Sequence, residues 1–290
     1  TGVTLSVHNS LLSSPLLHFG TEEQKERFFP GLASGKSLGA YAITEPDHGS
    51  DALSIETTCR KEGDEWILNG TKAWITNGSR AGTIITFATM DPALRSKGIN
   101  AFVVDPSMPG YSVGKKELKL GIRGSDTVQL VFDEMRVPAA NLLGEEGQGF
   151  KIAMHTLDGG RVGIATQAVG IAQACLDAAV EFAEGHEMFG RRLADNQLVS
   201  HKIADMATRI EASRLLTLRA AMLKDAGAPH SRQASMAKLS ASEIANDAAR
   251  MALEIHGGAG IGRQSPIERL FRDAKICEIY EGTSQIQRLV

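Results

Sequence analysis

Four stretches of this sequence gather residue types that do chemistry. The first is Tyr41-Ala42-Ile43-Thr44-Glu45-Pro46-Asp47-His48-Gly49-Ser50-Asp51. An apolar run opens there into a loop dense in hydroxyls and acids. Such a loop can wrap a polar ligand with hydroxyl and backbone N–H groups, or it can be an ordinary surface turn. The second is Lys72-Ala73-Trp74-Ile75-Thr76-Asn77-Gly78. Trp74 can stack on a flat cofactor while Thr76 bonds its edge, or it can pack as a core Trp. The third is His256-Gly257-Gly258-Ala259-Gly260. Successive glycines let backbone N–H groups approach a pyrophosphate, although a plain helix C-cap needs one glycine. The fourth is Ile279-Tyr280-Glu281-Gly282-Thr283-Ser284-Gln285-Ile286-Gln287-Arg288. Thr283 or Ser284 can N-cap a helix there, and a helix N-terminus suits phosphate. Glu281 stands between an apolar helix and a glycine. Partly desolvated, its carboxylate would have a raised pKa and act as a base; in the plainer reading it faces solvent in a turn.

Other motifs fail on context. Pro30-Gly31-Leu32-Ala33-Ser34-Gly35-Lys36-Ser37 approaches a P-loop, but Pro30 takes the first glycine position and no strand precedes it. Gly258-Ala259-Gly260-Ile261-Gly262 lacks the last glycine of a dinucleotide fingerprint and follows a helix. Ser235-Met236-Ala237-Lys238 fits S-x-x-K, yet lies mid-helix without companion motifs. The eight histidines show no metal-ligand spacing, so no metal site is expected.

Thr21 reads as the N-cap of a short helix that runs through Phe29 and is closed by Pro30-Gly31. From Leu38, short apolar runs alternate with turn signals: 38–44, 54–60, 65–69, 72–76, 83–89, 100–105, 111–118 and 127–137. Asn69-Gly70 between two of them predicts a hairpin. Eight such runs argue for a compact barrel or sandwich. Helical periodicity takes over at 150–186, 196–226, 230–257 and 266–279, which predicts a four-helix bundle.

Composition agrees with that division. Of the 9 prolines, 7 lie in residues 1–150, against 11 alanines there and 25 in residues 151–290. Proline breaks helices and alanine favours them, so the second half should be the helical one. A net charge of −3 offers no basic excess for nucleic acid. No run of 18 apolar residues exists, so membrane insertion is not expected. The 3 cysteines have no paired spacing, as suits reduced thiols in a cytosol or matrix. The chain opens at Thr1 without Met, as a processed form or a fragment would.

Taken in order, the segments resemble the acyl-CoA dehydrogenase family. The resemblance rests on Ala42 to Asp51, Lys72 to Asn77, Leu120-Gly121-Ile122-Arg123-Gly124-Ser125, Arg136-Val137-Pro138 through Gly144, and Glu281 to Arg288. It implies an α+β protein: the end of a helical N-terminal domain (1–38), a middle β-barrel (39–149) and a C-terminal four-helix bundle (150–290). Both ends then look short of the family's full length. The cofactor implied is FAD. Tyr41, Ile43, Thr44 and Ser50 would line the flavin, with Trp74, Ile75 and Thr76 along its ring. His186, Phe189, Gln197, Gly257 and Gly258 would hold its adenosine and pyrophosphate end, and Thr283, Ser284 and Gln285 would meet it at the last helix. Ser50, Asp158, Arg161 and Gly282 would touch the acyl-CoA substrate. Glu281 would be the base that removes the α-proton while a β-hydride passes to flavin N5. Some relatives place the base on the first bundle helix, but Gly160 holds the matching position here. These matches are most like the short-chain, butyryl-type branch.

The resemblance further implies a homotetramer built as a dimer of dimers, electron transfer to an electron-transferring flavoprotein, and a bacterial cytoplasm or mitochondrial matrix location. One residue departs from the pattern. His186 stands where family members carry an Arg that pairs with FAD phosphate, with Arg191 and Arg192 nearby. Two alternatives stay open. An acyl-CoA oxidase-like enzyme would pass electrons to oxygen, and a non-catalytic assembly factor on the same fold would purify colourless.

Overall fold

A computed structural model describes residues 2–290. It divides into two compact units, residues 2–118 with 123–160 and residues 119–122 with 161–290.

In the first unit, helices α1 (Gly2–Ser6) and α2 (Ser14–Phe19) flank a π-helical stretch, Val7–Ser13. Helix α3 (Glu22–Ala33) starts at a reciprocal cap. The Gln24 N–H donates to Thr21 Oγ1 and the Thr21 N–H donates to Gln24 Oε1, each at 3.2 Å. The helix runs past Pro30-Gly31, where the sequence predicted its end. Pro30 faces solvent, while Leu32 in the following turn is buried and keeps that turn on the core. The stop comes at Gly35, whose φ is 70°.

Eight strands follow: β1 (Leu38–Ala42), β2 (Thr58–Glu62), β3 (Glu65–Thr76), β4 (Ala81–Thr89), β5 (Ile99–Val104), β6 (Tyr111–Lys116), β7 (Thr127–Pro138) and β8 (Leu142–Leu143). They form one sheet in the order β6-β7-β3-β2-β4-β5-β8, with β1 parallel to β4. Its enclosed face buries Trp66, Leu68, Ile84, Phe102, Leu130 and Phe132.

The predicted hairpin at Asn69-Gly70 does not form. Residues 65–76 are one strand, paired antiparallel to β7 along its length. Gly70 serves close packing, because a Cβ there would stand 2.5 Å from Thr57 Oγ1. The tight turn lies at Gly63-Asp64, between β2 and β3, where Gly63 has φ 60°. The run predicted from 54 becomes strand only at Thr58, since the Glu56 and Thr57 N–H groups donate to the Glu45 carboxylate.

The second unit carries the bundle. Helix α4 (Gly149–Gly185), of which residues 161–185 belong to this unit, is followed by a small hairpin, β9 (Glu187–Met188) with β10 (Arg191–Arg192). Helices α5 (Gln197–Asp225), α6 (Ser231–His256), α7 (Gly258–Ile261), α8 (Pro266–Ala274) and α9 (Ser284–Leu289) complete the chain. The predicted fourth helix continues beyond Ala274 only as a 3-10 turn, Lys275–Glu278. Alanine explains the packing: Ala168, Ala172 and Ala179 of α4 and Ala237, Ala241, Ala245 and Ala248 of α6 are all buried in the bundle core. By length and composition α4 could cross a membrane; Ile164, Ala165, Ala168, Ala172, Cys175, Ala179 and Ala183 along it are buried in that core, and Ile171, Ala178, Val180 and Phe182 only partly. Cys59, Cys175 and Cys277 are buried free thiols.

Candidate active site

The first unit assembles one group of candidates. Strand β1 is tied to β4 as Thr86 Oγ1 donates to the Ala42 carbonyl at 3.1 Å. The chain then leaves the sheet, and the Ala73 N–H donates to the Thr44 carbonyl at 2.8 Å. That bond joins the two candidate segments directly. A second link is charged. Lys72 and Glu45 are both buried and their Nζ and Oε1 atoms lie 2.6 Å apart. The Glu45 carboxylate also accepts the Glu56 N–H at 2.6 Å and the Thr57 N–H at 3.0 Å. Burial pushes its pKa up, but the Lys72 charge and these hydrogen bonds more than offset that, and the carboxyl lies below its ordinary range. Sequence reasoning missed this pair. Its signal was a Lys directly before the apolar run Ala73-Trp74-Ile75 within a strand.

Strand β3 slips register between Lys72 and Ile75, a bulge that re-aims side chains. At its centre Trp74 has φ 62° and is 55% exposed. The core Trp is Trp66, and Trp74 presents its indole outward. Thr76, Ile43 and Thr44 are half-buried, and Ser50 is exposed. Tyr41 is buried edge-on against Phe87, with ring centroids 5.2 Å apart. The Ile75 side chain belongs to the sheet's core, so only its backbone is available to a ligand. Asn77, at φ 65°, donates from Nδ2 to the Gly39 and Thr4 carbonyls and anchors the segment's end. Asp158 is half-buried on α4.

The second unit holds two further groups. One surrounds Glu281. Thr283 N-caps α9 by accepting the Ile286 N–H, as the sequence predicted. Glu281 itself has φ 51° and Gly282 φ 92°, so the corner before the cap is left-handed twice over. The Glu281 side chain points inward, and its Oε2 is buried without a hydrogen-bond partner among the described residues. Burial raises its pKa to about 8, against the charges of Lys238 and Arg161. Glu281 as a whole is half-buried, with its Oε2 turned away from solvent. Arg161 of α4 is buried, and Gly282 is half-buried. Thr283, Ser284 and Gln285 line a cleft of about 430 Å³, and the buried Ser284 Oγ has no partner there.

The other group lines a cavity of about 480 Å³ that includes His186, His256, Gly257 and Gly258. Phe182 sits between two imidazoles, with centroids 4.8 Å from His186 and 4.3 Å from His256. Gly257 has φ 55°, and a Cβ at Gly257 or Gly258 would meet nothing within 4 Å. The glycine turn thus offers bare backbone to open space. Phe189, at the hairpin tip, is 95% exposed. Phe189 and Gln197 do not line this cavity, and neither does Glu281.

Each unit by itself fits part of a flavin dinucleotide. There is an outward indole with a hydroxyl beside it in one unit. In the other there are an open glycine turn and an unpartnered buried hydroxyl.

Comparison with known proteins agrees. Models of the acyl-CoA dehydrogenase N-terminal, middle and C-terminal domains match residues 1–36, 40–135 and 147–290. The chain belongs to the acyl-CoA dehydrogenase family, and is an FAD-dependent oxidoreductase of that class. The human mitochondrial short-chain specific acyl-CoA dehydrogenase is 54% identical over 290 residues, covering 100% of this chain and 70% of the human one. The solved butyryl-CoA dehydrogenase of Megasphaera elsdenii is 47% identical with a TM-score of 0.98, over 99% of this chain and 76% of that one. A structure from work on the electron transferring flavoprotein of Acidaminococcus fermentans is 48% identical with the same TM-score, 0.98, over 99% and 76% of the two chains.

Proposed function

We propose that this chain dehydrogenates short-chain acyl-CoA thioesters to the trans-2-enoyl-CoA, with Glu281 as the base. The observation that carries the reading is the Glu281 carboxyl itself, on a half-buried residue, with Oε2 enclosed and unpartnered among the described residues and a pKa raised by burial to about 8. An ordinary carboxylate is too weak a base for a carbon acid. Desolvation strengthens it toward the range where proton transfer near neutral pH is efficient. The Glu281 backbone N–H would donate to the thioester carbonyl and stabilise the charge that develops as the α-proton leaves. Arg161, Asp158, Gly282 and Ser50 would contact the substrate. Tyr41, Ile43, Thr44, Trp74, Thr76 and the Ile75 backbone would hold the flavin ring. Thr283, Ser284 and Gln285, with the His186, Phe189, Gln197, Gly257 and Gly258 set, would hold the rest of the cofactor. FAD, when bound, supplies the hydride acceptor.

The same reading includes the domain division at 38/39 and 149/150, electron transfer to an electron-transferring flavoprotein, a homotetramer, and a bacterial cytoplasm or mitochondrial matrix setting. The named relatives support its substrate class and its electron acceptor.

The test is anaerobic bleaching of the flavin against a panel of acyl-CoAs. Butyryl-CoA should bleach it fastest, with longer and branched chains slower, and failure with every thioester would end the proposal. The bleaching rate should rise with pH through the Glu281 value near 8, because only the carboxylate accepts a proton. Oxygen as a better acceptor than the flavoprotein would favour an oxidase, and a colourless protein would favour an assembly factor.

His186 gives a second expected result. An imidazole stacked on Phe182 offers a phosphate at most one charged donor, where a guanidinium offers a fork. His186→Arg should therefore slow FAD loss on dilution by about tenfold, the effect of one charge-assisted hydrogen bond. Unchanged retention would mean that Arg191 or Arg192 already fills the role.

A further inference from the structure

Lys238 is the buried charge that the proposed reaction leaves without a task. It stands on α6 in a stripe of small buried residues, Ala234, Ala237, Ala241 and Ala245, and is 0% exposed. An ammonium in such a place is costly unless something holds it. Its Nζ donates to the Gly282 carbonyl at 2.7 Å. From α9 the buried Gln287 donates Nε2 to the Glu281 carbonyl at 3.0 Å and to the Gly282 carbonyl at 2.9 Å. Two side chains thus grip both carbonyls of the corner that carries Glu281. That corner needs holding, because a non-glycine residue at φ 51° is strained and reverts when unsupported. Gly282 cannot be replaced to help, since a Cβ there would lie 2.6 Å from Gln287 Nε2.

We infer that Lys238 is a positioning residue for the reaction, locking the Glu281 corner through its hydrogen bond to the Gly282 carbonyl. The inference rests on the reading of Glu281 as the base. The charged groups facing Glu281 are Lys238 from α6 and Arg161 from α4, with the Tyr280 hydroxyl beside it; Cys277, Glu278 and Arg161 face Lys238 itself. Burial lowers the Lys238 pKa to about 8, so it and Glu281 titrate as a coupled pair; while charged, Lys238 opposes the rise in the Glu281 pKa, and removing it moves the pH at which the base becomes active upward.

The test compares Lys238→Met, Lys238→Gln and Lys238→Arg in the FAD-loaded protein. Lys238→Met should keep its FAD, lose at least about tenfold in anaerobic bleaching by butyryl-CoA, and shift the pH midpoint alkaline by about one unit. Amide hydrogen exchange over residues 279–286, measured without substrate, should quicken while the rest of α6 stays protected. Lys238→Arg should keep the wild-type midpoint. A folded Lys238→Met with the wild-type midpoint and exchange overturns the inference, whatever its rate. If Lys238→Met does not fold, the other two variants decide: Gln must move the midpoint and Arg must not, and equal midpoints overturn it. Should butyryl-CoA fail to bleach the wild type, the proposed function falls, while the exchange measurement still reads the clamp.

Discussion

Glu281→Gln should give a folded, yellow protein that butyryl-CoA no longer bleaches. The substitution keeps the shape of the side chain and removes its capacity to accept a proton. The expected loss is between about a hundredfold and about ten-thousandfold, the usual span for a positioned general base. Cofactor content should not change, because the buried Oε2 makes no hydrogen bond that Gln would break. Stability distinguishes this from a damaged fold. A carboxyl raised from 4.5 to about 8 holds its proton in the folded state at pH values where the unfolded chain has lost it. Wild-type stability therefore falls as pH rises through that window. The Gln variant has no such proton, so its advantage over wild type should widen between pH 5 and 8 in urea unfolding. Normal bleaching in this variant would refute the role of Glu281.

The Lys72–Glu45 pair should give the largest loss of stability. Removing one partner of a buried ion pair strands the other charge, which costs about 3–5 kcal/mol. Lys72→Met leaves a carboxylate facing a methyl group, and Glu45→Gln leaves an ammonium against an amide. Both tryptophans, Trp66 and Trp74, lie in the same unit as the pair, so their fluorescence follows its unfolding. The double variant should lose clearly less than the sum of the single losses, because neither charge remains stranded. Strict additivity would deny the coupling. The Glu45 carboxyl is held below its ordinary range, so its contribution is complete above that range and fades as pH falls through the folded value. Since the pair also joins the loop after β1 to the strand that bears Trp74, single variants that fold should release FAD faster.

Much of this was legible in advance because local chemistry and fold agree. The Thr21 cap, the four bundle helices and the Thr283 cap follow from periodicity and from hydroxyls at helix starts. Legibility failed where a long-range contact overrode a local preference. Asn69-Gly70 is a strong turn signal, yet pairing with β7 and the approach of Thr57 keep it extended. Pro30-Gly31 is a strong stop, yet Leu32 holds one more turn to the core. At the site, Glu281 was visible as a residue in an unusual place. The grip on its corner by Lys238 was not, because Lys238 lies 43 positions before Glu281 along the chain and reaches the Gly282 carbonyl only after the bundle forms, while the Gln287 contact is local but depends on how α9 turns back on the corner. In the sequence Lys238 belongs to a four-residue S-x-x-K pattern that has no bearing on its place in the fold. Its placement in an alanine stripe was the better clue.

Trp74 and Glu281 share a backbone habit that bears on how such a protein changes over generations. Each stands at a left-handed φ, 62° and 51°, where glycine would be relaxed. Replacing either with Gly would relieve about 1–2 kcal/mol of local strain. A population screened for thermal tolerance alone would thus drift toward discarding these two side chains. A heat-hardened library of this chain should therefore be searched first at positions 74 and 281, where loss of the side chain relaxes the backbone.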